Sequence, residues 1–246
     1  MILSIMQPTY LPWMGYFDLI DIADKFVFLD NVQLERSGWQ VRNRIRSSQG
    51  ELMLRVAIAT PKRFDETLIH QTQFVTGHPW RKKHLKSIQM NYQKAPYFAQ
   101  VYPLLESLYQ KDETSLSQFN ISVINALCTF MGINTPRMLA SELVDIEGIK
   151  DARLTSICKH LDADQYLSPL GAMAYIEQES SGGDLGENGI DVFYHQFVHP
   201  QYTQVYDGFI SHLSIIDALF NLGPQNTVTL IRQFRQAPIN YTSLPR

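Results

Sequence analysis

Ile2-Leu3-Ser4-Ile5-Met6-Gln7-Pro8-Thr9-Tyr10-Leu11-Pro12-Trp13, with Lys25-Phe26-Val27-Phe28-Leu29-Asp30-Asn31 a helix-length further on, decides the reading of the fold. Ile2 to Met6 is a short apolar run rich in β-formers that stops at Gln7-Pro8, as a buried strand should. Pro12 and its neighbours suit the start of a helix. Trp13, Phe17, Ile20 and Ala23 then recur at helical spacing, which predicts a helix to about Asp24. The apolar run 25–29 predicts a second strand. Strand, turn, helix, strand favours a parallel βαβ unit, whose right-handed crossover brings both strand ends to one edge. Gln7-Pro8 and Asp30-Asn31-Val32-Gln33 would share that edge, and ligands of open α/β sheets bind beyond the carboxyl ends of the strands.

Working outward, residues 34–50 are polar and basic and read as a loop or hairpin, and 51–58 alternates enough to be a strand. A short strand is expected over 68–74. Trp80, His84, Ile88 and Tyr92 fall at i, i+4 steps and predict an amphipathic helix over 79–92. Further helices are expected over 101–109 and over 116–131, the latter closed by Gly132. After Ser141 the pattern gives a helix at 151–161, a short strand at 165–167, a helix start at 172–178, a loop at 181–189 and a strand at 190–197. An apolar helix follows at 214–222, closed by Gly223-Pro224, and the tail after Ala237 reads as irregular cover. The fold expected is α/β: an N-terminal parallel βαβ domain over 1–140 with a helical middle, and a second small α/β segment over 141–246 packing on it.

Composition sets the limits. With 45% hydrophobic and 18% charged residues, 246 residues can bury a full core without disulfide or metal. A mean hydropathy of −0.16, and no run approaching the roughly 20 apolar residues of a spanning helix, argue against membrane insertion. The start at Met1 carries no basic region or cleavage site and reads as mature structure, which suggests the cytoplasm. Cys128 and Cys158 lie in apolar, helix-like settings and are expected as buried thiols. Net charge is −3, yet residues 36–94 hold twelve Lys and Arg against three Asp and Glu. That polarity raises the local concentration of anionic ligands, while the acidity of the whole argues against a dedicated nucleic-acid binder. A solvated face balanced by the acidic C-terminal half is the plainer reading.

Gln7-Pro-Thr-Tyr10-Leu-Pro12-Trp13-Met-Gly15-Tyr16-Phe17-Asp-Leu-Ile20, followed by Ala23-Asp24 and Phe28-Leu-Asp30-Asn-Val32-Gln33, resembles the WbqC-like family. Trp39-Gln-Val-Arg42-Asn43-Arg44-Ile45, Trp80-Arg-Lys-Lys-His84, Tyr166-Leu-Ser168-Pro-Leu-Gly171, His199-Pro200-Gln-Tyr202 and His212-Leu-Ser214 through Gly223 extend the resemblance, in order, over essentially the whole chain. Members of that family lie among genes for bacterial surface polysaccharides. The resemblance therefore implies an acyltransferase or aminoacyltransferase that forms an amide or ester on a sugar in O-antigen or lipopolysaccharide biosynthesis, with glycine as one suggested group. A non-catalytic nucleotide or sugar-nucleotide binding protein is the alternative. The first thirty residues are also similar to the opening of nucleotidyltransferases and pantothenate-synthetase-like ligases, a Rossmann variant. Those enzymes place His where this chain has Tyr16.

Residue chemistry supplies the candidates. Gln7 would project from a strand end and orient a carbonyl or hydroxyl, but it cannot move a proton. Asp30 is an acid or base, or else a turn cap. Trp39, Arg42, Asn43 and Arg44 form a recognition set, or an exposed basic hairpin. His84 with Lys83 alongside, and His199, are the imidazoles considered for proton transfer. Under the transferase reading Gln7, Tyr10, Trp13 and Asp30 border the reacting centre, Arg42, Arg44 and Lys83 hold an anionic substrate such as a sugar nucleotide, and His84 or His199 handles protons. The spacing from His199 to His212 matches no zinc signature, so no metal is expected. ATP or an activated acyl donor remains open. Ser168 lacks a nucleophile elbow.

Overall fold

Pleating sends alternate side chains of a strand to opposite faces of its sheet, and here both faces are buried. The computed structural model describes residues 1–35, 37–59 and 67–244. Its elements are β1 (Ile2–Met6), α1 (Met14–Ile22), β2 (Lys25–Phe28), the hairpin β3 (Arg42–Ser47) and β4 (Gly50–Arg55), then α2 (Trp80–Tyr92), α3 (Phe98–Tyr109) and α4 (Leu116–Met131). The chain continues through β5 (Arg137–Leu139), α5 (Lys150–His160), β6 (Gln165–Ser168), the short α6 (Met173–Ile176) and α7 (Gly183–Glu187), β7 (Asp191–Tyr194), α8 (Ile215–Phe234) and β8 (Ile239–Asn240). None of the described helices is long and apolar enough to cross a membrane.

Six strands make one sheet in the order β5-β2-β1-β6-β7-β8. All pairs are parallel except β7 with β8. Taken in chain order the five parallel strands run 3-2-1-4-5, the order of a doubly wound α/β sheet. The expected β1–β2 unit is present, with Leu3 opposite Lys25 and Met6 opposite Phe28. The fold is mixed α/β with a mostly parallel sheet. The 140/141 division expected from sequence falls just after β5, and β1 and β6 from its two sides are neighbours in the one sheet.

Leu3, Ile5, Val27, Tyr166, Val192 and Tyr194 face α5, α6 and α7, where Ile157, Ile176 and Leu185 meet them. Phe26, Phe28 and Leu167 face the other way, into the larger core built by α1 to α4 and α8. Full burial of Phe26 or Phe28 contributes about 1.5–3 kcal/mol each. The result is three layers, helix on sheet on helix.

Several expectations shift. The residues read as a strand at 68–74 form a 3-10 turn at Ile69–Gln71 with single bridges on either side, because their backbone pairs with separate partners at Val32, Asp30 and Thr114. The expected strand at 190–197 leaves the sheet after Tyr194. α8 does not end at Gly223: the chain kinks there with φ 76° and helix resumes through Pro224 to Phe234. A Cβ at Gly223 would overlap the ring of Tyr97, so the kink requires glycine. The tail contributes β8 rather than irregular cover alone. Both cysteines are buried, as expected, and burial pushes each thiol up to about 12. Lys62 and Arg63, counted in the basic stretch, and Arg36 with them, lie outside the described residues.

Candidate functional site

Between β1 and β6 the strand order reverses, and the connections leaving their carboxyl ends part to open a crevice. The turn that follows β1 forms one wall. Pro8 and Pro12 give it no N–H groups, so its carbonyls need other donors. Asn120 Nδ2 donates to the carbonyl of Pro8 and Asn43 Nδ2 to those of Tyr10 and Leu11, at 2.7–3.2 Å. Leu11 is held there in the left-handed region, φ 44°. Tyr16 donates its hydroxyl to the carbonyl of Gln7. Gly15 lets the Trp13 ring lie against α1, where any Cβ would overlap it.

The facing wall comes from the loop before α8. Asp217, fully buried, accepts hydrogen bonds from Tyr92, Tyr202 and Gln204, while the Ser214 and Ile215 amides bond to the carbonyls of Arg44 and Pro12. These contacts carry His212 to the crevice, with His199 behind it. The His199 ring lies parallel to Trp13 at 6.3 Å and 4.8 Å from His212. Burial, reinforced by His212, pushes His199 down to about 4 against a hydrogen bond to the Pro200 carbonyl, so it is neutral at pH 7. His212 is lowered by burial and by Arg44.

Three adjoining chambers make up the crevice. An aromatic chamber of about 290 Å³ is lined by Trp13, Trp39, Asn43, Arg44 and His212. A central one of about 680 Å³ reaches Gln7, Trp13, Trp39, His195 and the Pro169–Ala172 turn after β6. An outer one of about 1040 Å³ is bounded by Gln7, Asn31, Glu35, Lys150, Arg153 and Tyr175. Trp39 stands 47% exposed at the rim, with the guanidinium groups of Arg42 and Arg44 over its ring at 5.7 and 5.6 Å.

Of the residues expected from sequence, Gln7, Trp13, Trp39, Asn43 and Arg44 line these chambers. Gln7 Oε1 is engaged by Gln40. Arg44 is committed: Nη1 spans both oxygens of Glu51 and Nη2 donates to the His212 carbonyl. His199 stands behind, stacked on Trp13 and tilted against His212. Tyr10 and His84 lie together in the core, the Tyr10 hydroxyl 2.7 Å from His84 Nδ1 and also bonded to Tyr109. Asp30 is buried and ties down the residue two past β5, accepting from the Ser141 amide at 2.9 Å and its hydroxyl at 2.7 Å. Lys83 is exposed on α2. Arg42 reaches the site through Trp39 alone.

Three residues the sequence reading passed over are His195, Lys150 and Arg153. His195 follows β7 directly, so its place at a strand's carboxyl end was the available signal. Lys150 and Arg153 open α5, outside the basic stretch at 36–94. Among the described residues, no three His, Cys, Asp or Glu side chains gather as ligands for a metal ion.

These observations define a doubly wound α/β protein with an aromatic and cationic crevice at the point where its strand order reverses. The model of the WbqC-like protein family matches residues 7–229, and the chain belongs to that family. It is 32% identical over 224 residues to the uncharacterized protein Rv1507c of Mycobacterium tuberculosis (strain ATCC 25618 / H37Rv), an alignment covering 90% of this chain and 94% of that one. No solved structure matches the chain.

Proposed function

We propose that the protein is a transferase that places an acyl or aminoacyl group, such as glycine, on the sugar of a nucleotide-linked precursor for bacterial surface polysaccharide. The observation that carries the reading is the polarity of the crevice: aromatic faces at one end, unpaired cationic charge at the other. Trp39 and Trp13 offer the flat apolar surfaces that sugar rings and bases pack against. Lys150 makes no ion pair among the described residues, and Arg153 spends its bonds on the Asn31 and Gly148 carbonyls, so both charges are available to a phosphate. Trp13 and Trp39 come from the first 140 residues, and Lys150 and Arg153 from residues 141–246. The cytoplasmic location expected from the sequence is part of this proposal. The likeness of the opening to nucleotidyltransferases belongs to the same proposal, with Tyr16 serving the turn where those enzymes place His.

Transfer requires an amine or hydroxyl of the sugar to lose its proton as it attacks the acyl carbon, the role for which the sequence offers His84, Asp30 and His199. Calorimetry with a panel of nucleotide sugars, with and without an activated glycine donor, tests the reading. Saturable binding, followed by a product heavier by the acyl group, is expected. Binding without product would leave a sugar-nucleotide binding module. No binding by any member of the panel would refute the proposal.

A further inference from the structure

One pair of titratable side chains is buried and yet borders the central chamber. His195 is 6% exposed and lines the crevice. Its Nε2 lies 2.7 Å from Oδ2 of Asp18, a fully buried residue of α1. The other Asp18 oxygen accepts from Arg235 Nε at 2.7 Å, and Arg235 also binds Asp21, so the carboxylate is fixed from both sides and its charge is balanced. The His195 amide donates to the Ser168 carbonyl at 2.8 Å, and the ring lies parallel to Phe197. Backbone and ring are therefore both held.

A carboxylate only accepts, so the proton of a neutral His195 sits on Nε2 and the lone pair on Nδ1. Nδ1 has no hydrogen-bond partner among the described residues. Nδ1 is not sealed in the core: it keeps accessible surface on a side chain that lines the central chamber, where a ligand can reach it. Here one nitrogen is anchored in the core and the other is left unpaired on a side chain that borders a cavity.

We infer that His195 is the general base of the crevice and that Asp18 is its positioning residue, acting on an amine or hydroxyl of a bound sugar. The chemical step rests on the transferase reading above, with a thioester or acyl phosphate as donor. The N–H or O–H bond of the acceptor breaks and its electron pair forms the new bond to the acyl carbon, while the proton moves to Nδ1. The bond from the acyl carbon to the leaving group then breaks with its pair, and Nδ1 returns the proton to that group. Asp18 stabilises the imidazolium between the two events and fixes the tautomer, as the buried carboxylate does in serine hydrolases.

The test needs no substrate. Nitrogen-15 NMR of the purified full chain at pH 8 should show His195 Nδ1 in the unprotonated, imine-like range and Nε2 in the protonated range. In Asp18→Asn the side-chain amide donates to Nε2, and the two resonances should exchange character. The two histidines are equally buried as residues, but His195 Nδ1 is unpaired beside the chamber while His84 lines none of the three chambers and has Nδ1 bonded to Tyr10. Diethyl pyrocarbonate should therefore modify His195 in the folded protein and leave His84 untouched, with peptide mass spectrometry as readout. If Asp18→Asn does not fold, the wild-type spectrum and the modification pattern still decide. A ring protonated on Nδ1, or a His195 inert to the reagent, would overturn the dyad without touching sugar-nucleotide binding. Conversely, failure of every nucleotide sugar to bind would remove the proposed substrate and leave the tautomer result standing.

Discussion

Acid should destabilise this protein through His84, and His84→Gln should remove that part of the sensitivity. His84 is 7% exposed among Trp80, Tyr10 and Tyr109. A hydrogen bond to the Arg55 backbone uses one ring N–H, so Nδ1 accepts from the Tyr10 hydroxyl. Burial, with a smaller contribution from His78, pushes the imidazole down from 6.5 to about 4. Below pH 6.5 the unfolded chain takes up a proton that the folded chain refuses. Stability therefore falls as pH drops from 6.5 to about 4, and this contribution is flat above and below that window. At 1.36 kcal/mol per pH unit the loss is about 3 kcal/mol, a large part of the ~5–15 kcal/mol that holds a typical domain folded. His199 acts in the same direction but is only partly buried, so solvent reduces its share. Gln keeps an acceptor for Tyr10 and cannot titrate. Urea unfolding at pH 7.0 and about pH 4.5, followed by tryptophan fluorescence, should show the wild-type advantage over His84→Gln shrinking by about 2–3 kcal/mol in acid. An advantage that does not change with pH would mean that His84 titrates normally, and the account of the aromatic core would fail with it.

Asn43→Ala should cost about 1–3 kcal/mol, because two turn carbonyls lose their donor while Leu11 stays in a left-handed conformation; an unchanged urea midpoint would contradict this. Trp39→Ala and Lys150→Ala, measured separately by calorimetry, should each weaken nucleotide-sugar binding about tenfold, or roughly 1.4 kcal/mol, and leave stability within about 0.5 kcal/mol since both side chains are at the surface. Unaltered affinity in both variants would move the ligand elsewhere. Neither Cys128 nor Cys158 should react with a thiol reagent in the folded protein at pH 8, and both should react in urea; fast labelling of either in buffer would refute its burial.

Periodicity and turn chemistry were enough where an element's own residues decide its state. Ile2 to Met6 and residues 25–28 are strands because they are short, mostly apolar runs bounded by turn residues, with Ser4 in the first satisfied by the Leu167 carbonyl, and α4 stops at Gly132 because φ 73° suits glycine. Local reading failed where a partner distant in sequence decides. The residues around Ile69 had the composition of a strand, but their backbone groups meet Val32, Asp30 and Thr114 separately. Gly223-Pro224 has the chemistry of a helix end, yet packing against Tyr97 turns it into a kink with helix on both sides. β5, three residues long, carries no periodic signal and exists because β2 offers an edge.

The candidate site divides in the same way. Sequence alone determined the first crossover, the family, and the aromatic and polar residues of the turn, because each is a property of contiguous residues. Only the tertiary structure decided which of them meet. It joined Asp18 to His195 across 177 positions, set Lys150 and Arg153 at the outer chamber, and put His84 in the core beside Tyr10. A crevice at a strand-order reversal is made by segments far apart in the chain, and which side chains line it depends on pairings that no local pattern encodes.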